Sequence, residues 1–431
     1  MSRFAIAAAL GWAALTFLAC GTAAADNPSG SAGSADGHPT HSVTSTAAKA
    51  HGQSARRVSG TATSAASTAR RVALSTNRFR AVEPVKARSV TARPARAEKP
   101  AVSSPATEAS DVPYADWNAD SALFTGHPSL LNQVFNNALW VLQQVTSHTA
   151  SAPTSTMLNQ ATPPWYATLG LTVSQTEYDG MPVYTLAPAA PSGSVVVAVH
   201  GGGYVSQPLV FEWLADGAIA RQTGATVVVP IYPLAGAGGS AATVVPQFAD
   251  FLTTLVDAHG AEHVSLMGAS AGGGLALAAT QELVSRGAAT PGRMVLISPW
   301  LDATVSDPAS QTIWDPLLDV ALLQSFGRQW AAGLDPADPR VSPLYGSLAG
   351  LPPTTVYSGS HDLLAPDTLR LRRQAIAQGL DMTFVLRDRQ FHGWPLFVPL
   401  PDAVLSLRTI ETQLGLTATA PTRKGTRPRH G

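Results

Sequence analysis

From Val195 to Leu414 the chain repeats one pattern, a short apolar run followed by a longer amphipathic one, and no other feature narrows the available folds as much. Strands are expected at Val195–Val199, Thr226–Ile231, Val264–Met267, Met294–Ile297, Thr354–Tyr357 and Thr383–Leu386. Helices are expected between and after them, at Phe211–Thr223, Thr243–Ala258, Ala271–Arg286, Pro366–Gln378 and Pro401–Leu414. Strands that are apolar throughout have no face to give to water. Separated by helices, they form a mostly parallel central sheet with helices on both faces, an α/β fold. Upstream, Leu171–Tyr178 and Met181–Leu186 flank Asp179-Gly180, the signal of a hairpin. Further upstream, Leu130, Val134, Leu142 and Val145, with Leu131, Phe135 and Leu139, fall at helical spacing within residues 129–145, and Ser129 is placed to cap them. The chain carries no internal repeat.

Chemistry concentrates where this pattern turns from strand to helix. Gly268-Ala269-Ser270-Ala271-Gly272 lies between the strand Val264–Met267 and the helix that Ala271 opens. A serine on so sharp a turn is forced up at the carboxyl end of the sheet, and its neighbours must be small because backbone packs on backbone. His200-Gly201-Gly202-Gly203-Tyr204 follows the strand Val195–Val199 directly. Consecutive glycines let the chain turn its N–H groups into the cleft. There, with the N–H of Ala271, they can hold the anionic oxygen of a tetrahedral intermediate. A nucleophilic serine of this kind needs an acid and a base later in the chain, in that order. Asp362 follows the strand Thr354–Tyr357 and His392 follows Thr383–Leu386, so all three candidates lie at carboxyl ends of strands, where open α/β sheets hold their ligands.

The rivals fit less well. Asp367 lies inside the next helix, where it serves the N-terminus. His361 comes too early in the chain to be the base and reads as a loop polar group. His259 and His263 bracket Glu262 at a spacing that suggests a metal pair, but Gly260 breaks the helical face such a pair requires. No metal or cofactor is expected. The only cysteine is Cys20, so thiol nucleophiles and cysteine-held metals are excluded.

These residues resemble the hormone-sensitive-lipase branch of the α/β-hydrolases, a group of bacterial esterases and lipases. His200–Tyr204 matches its HGGG motif, and Gly268–Gly273 (GASAGG) matches its nucleophile motif GDSAGG. Ser298-Pro299-Trp300-Leu301-Asp302 matches the stretch after its sixth strand, and Gly359–Leu363 and His392-Gly393 match its acid and base motifs. The likeness runs from about Leu171 to Leu414. It implies a Ser270, Asp362 and His392 triad, oxyanion amides from Gly202, Gly203 and Ala271, and carboxylic-ester hydrolysis through an acyl-enzyme. It also implies a helical cap, expected from residues 111–168 and 303–345, with Trp117, Phe124, Phe135, Trp140, Trp165 and Tyr166 in the first part and Trp314, Phe326 and Trp330 in the second. The chain departs from the branch at three places. Ala269 stands where Asp is usual, Ile231–Gly236 lacks the Arg and Glu of a YRLAPE stretch, and Gly274 replaces a common Asn.

The catalytic domain is expected over 111–418. Before it, Arg3, the apolar run Phe4–Ala19 and Ala23-Ala24-Ala25 read as an export signal over residues 1–25, with lipidation at Cys20 as the alternative. Residues 26–110 carry twelve Lys/Arg against five Asp/Glu, whereas 111–420 carry eleven against twenty-three. An arm so poor in apolar side chains cannot offset its chain entropy by burial and reads as disordered, as does the basic tail 419–431. The expected location is secreted or envelope-associated. The expected partners are a small-molecule or lipid ester and, through the arm, an anionic envelope surface; nucleic acid is not among them. Two other readings stay open at this point. One is amide or acetyl-group hydrolysis on a cell-envelope compound, which the same residues permit. The other is a wall-tethered, non-catalytic binding module.

Overall fold

A computed structural model of the chain describes residues 120–146 and 158–417. The export signal, Cys20, the basic arm, Trp117 and the tail lie outside the described residues. Eight strands form one sheet in the order β1-β2-β4-β3-β5-β6-β7-β8. They are β1 (Leu171–Tyr178), β2 (Met181–Pro188), β3 (Val195–Val199), β4 (Thr226–Pro230), β5 (Val264–Ala269), β6 (Arg293–Ile297), β7 (Thr354–His361) and β8 (Met382–Phe391). The pairs β1–β2 and β2–β4 are antiparallel and all later pairs are parallel. The hairpin turns at Asp179 and Gly180, both at positive φ (46° and 77°), which matches the right-handed twist of the strands it joins.

The helices are α1 (Leu130–Thr146), α2 (Val210–Thr223), α3 (Ala241–His259), α4 (Ala271–Ser285), α5 (Val320–Ala331), α6 (Ala365–Ala377) and α7 (Pro401–Gln413). Their division between the two faces follows from the period of two along each strand. Val195, Val197 and Val199 of β3 pack with Phe248 and Leu252 of α3 and Leu275 of α4. Val196 and Ala198 turn the other way, towards Trp213 and Ile219 of α2 and Leu407 and Ile410 of α7. Every residue of β3 is therefore buried, as its unbroken apolar sequence requires.

Two features depart from expectation. The first is the length of β7 and β8, which run four and five residues past the apolar stretches that announce them. Ser358 and Gly359 still pair with Leu386 and Arg387 of the edge strand β8, which turns Arg387 and Arg389 to water while its backbone stays in the ladder. The second is the orientation of α1. Leu139 is buried, but Leu130, Leu131, Val134 and Trp140 are exposed while Asn132 and Asn136 face inward. The helix packs where backbone groups need partners. Asn136 Nδ2 donates to the Arg389 carbonyl at 2.8 Å, and the Ser129 N–H donates to the Asp402 carboxylate at 3.0 Å. Ser129 also caps the helix, its Oγ accepting the Asn132 N–H at 3.3 Å.

Candidate active site

Ser270 occupies the single residue between β5 and α4, at φ 53° and ψ −122°. A non-glycine residue at positive φ is strained and persists only where its surroundings fix it. Here its N–H donates to the Ile297 carbonyl at 2.9 Å, and its carbonyl accepts the N–H groups of Trp300 (2.9 Å) and Gly274 (3.1 Å). The small residues around it are obligatory. A Cβ on Gly272 would run into the Val199 and His200 carbonyls, and one on Gly273 would lie 2.9 Å from Pro299 Cβ. Gly274, where the resembling branch carries Asn, is filled from outside, because a Cβ there would strike the Trp300 carbonyl and the Tyr204 hydroxyl.

The glycine loop after β3 stands beside this turn. Gly202 and Gly203 adopt φ of 99° and 63°, values that cost glycine little. The loop closes on itself where Val205 and Ser206 donate to the Gly202 carbonyl at 3.1 and 3.0 Å. The Tyr232 hydroxyl donates to the His200 carbonyl at 3.0 Å, and its ring stacks on the His200 ring at 4.2 Å. Burial lowers the His200 pKa to about 4, so the ring is neutral, and its Nδ1–H donates to the Gly201 carbonyl at 2.8 Å. These bonds hold the carbonyls of His200, Gly201 and Gly202. Phe326 of α5 closes the front; a Cβ on Gly203 would come within 2.9 Å of its ring. Tyr204 anchors the same helix by stacking on Trp330 at 3.9 Å, the planes 2° apart.

Asp362 follows β7 immediately and His392 follows β8 immediately, an adjacency that the extended strands create. His392 Nδ1–H donates to Asp362 Oδ1 at 3.0 Å, and that oxygen also accepts the Leu364 N–H at 3.0 Å. Both residues are buried. Burial by itself lowers the His392 pKa, but the Asp362 charge and hydrogen bond, helped by Asp315 and Glu212, outweigh it and raise the pKa above the ordinary value. The direct contact within this set joins His392 to Asp362. Ser270 is tied to them through the end of β6: Ile297 accepts the Ser270 N–H, and the next residue, Ser298, accepts the Gly393 N–H on its Oγ at 2.9 Å.

Three residues enter the site that sequence reasoning did not assign. Ser298 lies inside a quoted motif and bridges β6 to the histidine turn. Asp315 is a buried carboxyl from the insert; its Oδ2 accepts the Leu363 N–H at 3.0 Å, which holds the turn carrying Asp362. Burial and the charge of Asp362 push its pKa up to about 6. Glu212 on α2 bonds the glycine loop after β3. The rivals stand apart. His361 packs edge-on against Trp314 with ring centres 5.0 Å apart. Asp367 lies in the first turn of α6, as expected, but its carboxylate pairs with Arg370 at 2.9 Å in the protein interior. His259 ends α3 and Glu262 and His263 lie in the 3-10 turn beyond it, so no helical face joins them.

Known proteins share this fold. Residues 196–396 match a family described as alpha/beta hydrolase fold. The chain is 42% identical over 320 residues to a triacylglycerol lipase of Mycobacterium tuberculosis (strain ATCC 25618 / H37Rv), covering 70% of this chain and 69% of that protein. It is 33% identical over 219 residues to an acetyl-hydrolase of Streptomyces hygroscopicus, covering 50% and 73%. Among solved structures, an esterase from the bacterial hormone-sensitive lipase family superposes with a TM-score of 0.56 at 25% identity, over 65% of this chain and 98% of that one. The chain belongs to the α/β-hydrolase family, in its hormone-sensitive-lipase-like branch of carboxylic-ester hydrolases.

Proposed function

We propose that the chain cleaves esters through an acyl-enzyme on Ser270, with His392 as base and Asp362 as its orienting acid. The observation that carries this reading is the buried His392–Asp362 hydrogen bond, which engages Nδ1 and leaves Nε2 to act as the base. Nε2 takes the proton of Ser270 Oγ, and Oγ bonds to the ester carbonyl carbon. The carbonyl oxygen becomes an anion held by the N–H groups of Gly202, Gly203 and Ala271, the last also at the positive end of α4. The intermediate collapses as His392 protonates the departing alcohol. Water then attacks the acyl-enzyme, giving its proton to His392, and Ser270 leaves with that proton as the acid is released. Asp362 accepts the Nδ1–H bond and so holds the ring in the tautomer that leaves Nε2 as the base.

A fluorophosphonate probe tests the assignment. It should label Ser270 in the wild type, and Ser270→Ala should abolish labelling and lower turnover by several orders of magnitude. Labelling at another serine would overturn it. Phe326 against Gly203 supports acyl groups that are short or enter beside that ring, and it favours acetyl esters over long chains. Residues 1–25 and the basic arm support export and attachment to an anionic envelope surface, where an envelope acyl ester is the natural class of substrate.

A further inference from the structure

Glu212 belongs to none of the motifs, yet its carboxylate ends at the oxyanion loop. Oε1 accepts the Gly201 N–H at 2.6 Å and Oε2 accepts the Leu209 N–H at 2.7 Å. Gly201 opens the glycine run and Leu209 is the last residue before α2, so one buried side chain ties both ends of the segment 201–209. It also lies close to the chemistry. A Cβ on Gly201 would sit 3.3 Å from Glu212 Oε1 and 3.2 Å from Ser270 Cβ. Behind the loop runs a narrow cavity, about one water wide, lined by His200, Glu212, Asp216, Met267 and Ala269. Ala269, the residue before the nucleophile, gives that wall only a methyl group. The carboxyls facing the loop from this side come from α2 instead.

We propose that Glu212 is a positioning residue for ester hydrolysis: as a carboxylate it fixes the peptide planes at both ends of the loop and so aims the Gly202 and Gly203 N–H groups at the oxyanion. The inference rests on the ester-hydrolase reading above. Two N–H donors converge on this group, and only a carboxylate offers an acceptor to each; a glutamine would turn its NH2 against one of them. Charge-assisted bonds of this kind are also the stronger ones. Burial raises the Glu212 pKa to about 7, against the pull of its two backbone bonds and of His392. The other groups facing it are Asp216, one turn further along α2, the neutral His200 and the Tyr232 hydroxyl. Burial and the neighbouring Glu212 hold Asp216 well above the usual carboxylate range.

The test uses the full-length chain, a short-chain aryl ester, and an alkylboronic acid that becomes a tetrahedral anion on Ser270. Oxyanion contacts form in the transition state and not in the ground state, so Glu212→Gln should lower kcat by about 10- to 100-fold and leave KM within about threefold. The boronate Ki should rise in step with the loss of kcat. Glu212→Ala should lose more. In the wild type, acid should remove two required deprotonated groups, His392 and Glu212, so log kcat/KM should fall with a slope steeper than one below about pH 7, and with a slope of one in Glu212→Gln. Folded variants with wild-type kcat, or with a raised KM alone, would overturn the role. Should neither variant fold, Glu212→Asp, whose shorter side chain cannot reach both N–H groups, should lower kcat with KM within about threefold, and wild-type kcat in that variant overturns the role. If Ser270 is not labelled in the wild type, the ester-hydrolase reading fails; if it is labelled and Glu212→Gln turns over normally, only the role of Glu212 fails.

Discussion

His392 must lose a proton to work, and its surroundings make that harder. The Asp362 charge raises its pKa, so the neutral base is depleted as pH falls through a value above the ordinary histidine figure of about 6.5. Activity measured as kcat/KM should therefore fall in acid with an apparent pKa above that figure. The stability sign is opposite. A raised histidine pKa stabilises the fold at pH below the unfolded value, and that contribution is lost as pH rises through the folded one. Asp362→Asn removes the charge that causes the shift. It should cost about 10⁴ in kcat and move the acid limb of the profile to lower pH. Asp367→Asn should leave kcat nearly unchanged and show its effect in thermal unfolding, since its carboxylate answers Arg370 and not His392. The reverse ranking would move the acid to Asp367. The candidate triad was legible in the sequence because each member directly follows a recognisable strand or turn. Asp315 and Glu212 were not, because a carboxylate reads the same in sequence whether it faces water or is buried against N–H groups.

At the scale of elements, apolar continuity was the reliable signal. The all-valine and alanine run of β3 ends where expected, and α7 differs from its expected span by one residue. Polarity misled at the edges. Ser358–His361 and Arg387–Gln390 look like loop, yet they lengthen β7 and β8 and carry the acid and the base to adjacent strand ends. In α1 the apolar periodicity was present but its inward direction was not, because the surface receiving that helix, the end of β8 and the start of α7, offers it the Arg389 carbonyl and the Asp402 carboxylate. The insert 303–345 gave no strong periodic signal, and α5 is held in it by the Asp319 cap and the Tyr204–Trp330 stack. Phe326, delivered by α5 to Gly203, makes this insert the expected determinant of acyl length. Phe326→Ala should shift the kcat/KM optimum across an acetyl-to-long-chain ester series towards longer chains, by about 10-fold relative to acetyl. An unchanged profile would place the acyl pocket elsewhere.

Across the whole molecule, chemistry and charge occupy different parts of the sequence. The turns after β3, β5, β6, β7 and β8 all open at the carboxyl edge of one sheet, so the groups of the site come from strands that are neighbours there. Every motif lies beyond Val195, well past residues 26–110. What that arm contributes is charge. Its excess of seven positive charges, twelve against five, precedes a body with an excess of twelve negative ones, twenty-three against eleven. At low salt an anionic surface attracts the arm and repels the body, and because the Debye length shrinks from about 30 Å at 0.01 M to about 8 Å at 0.15 M, both effects fade as salt rises. Deleting residues 26–110 should thus leave hydrolysis of a small soluble ester within about twofold while abolishing low-salt binding to anionic vesicles. The full-length chain should bind those vesicles at low salt and leave them on raising it. Equal partitioning of both forms at low salt would reduce the arm to a spacer. Loss of activity on the soluble ester would place it within the catalytic domain.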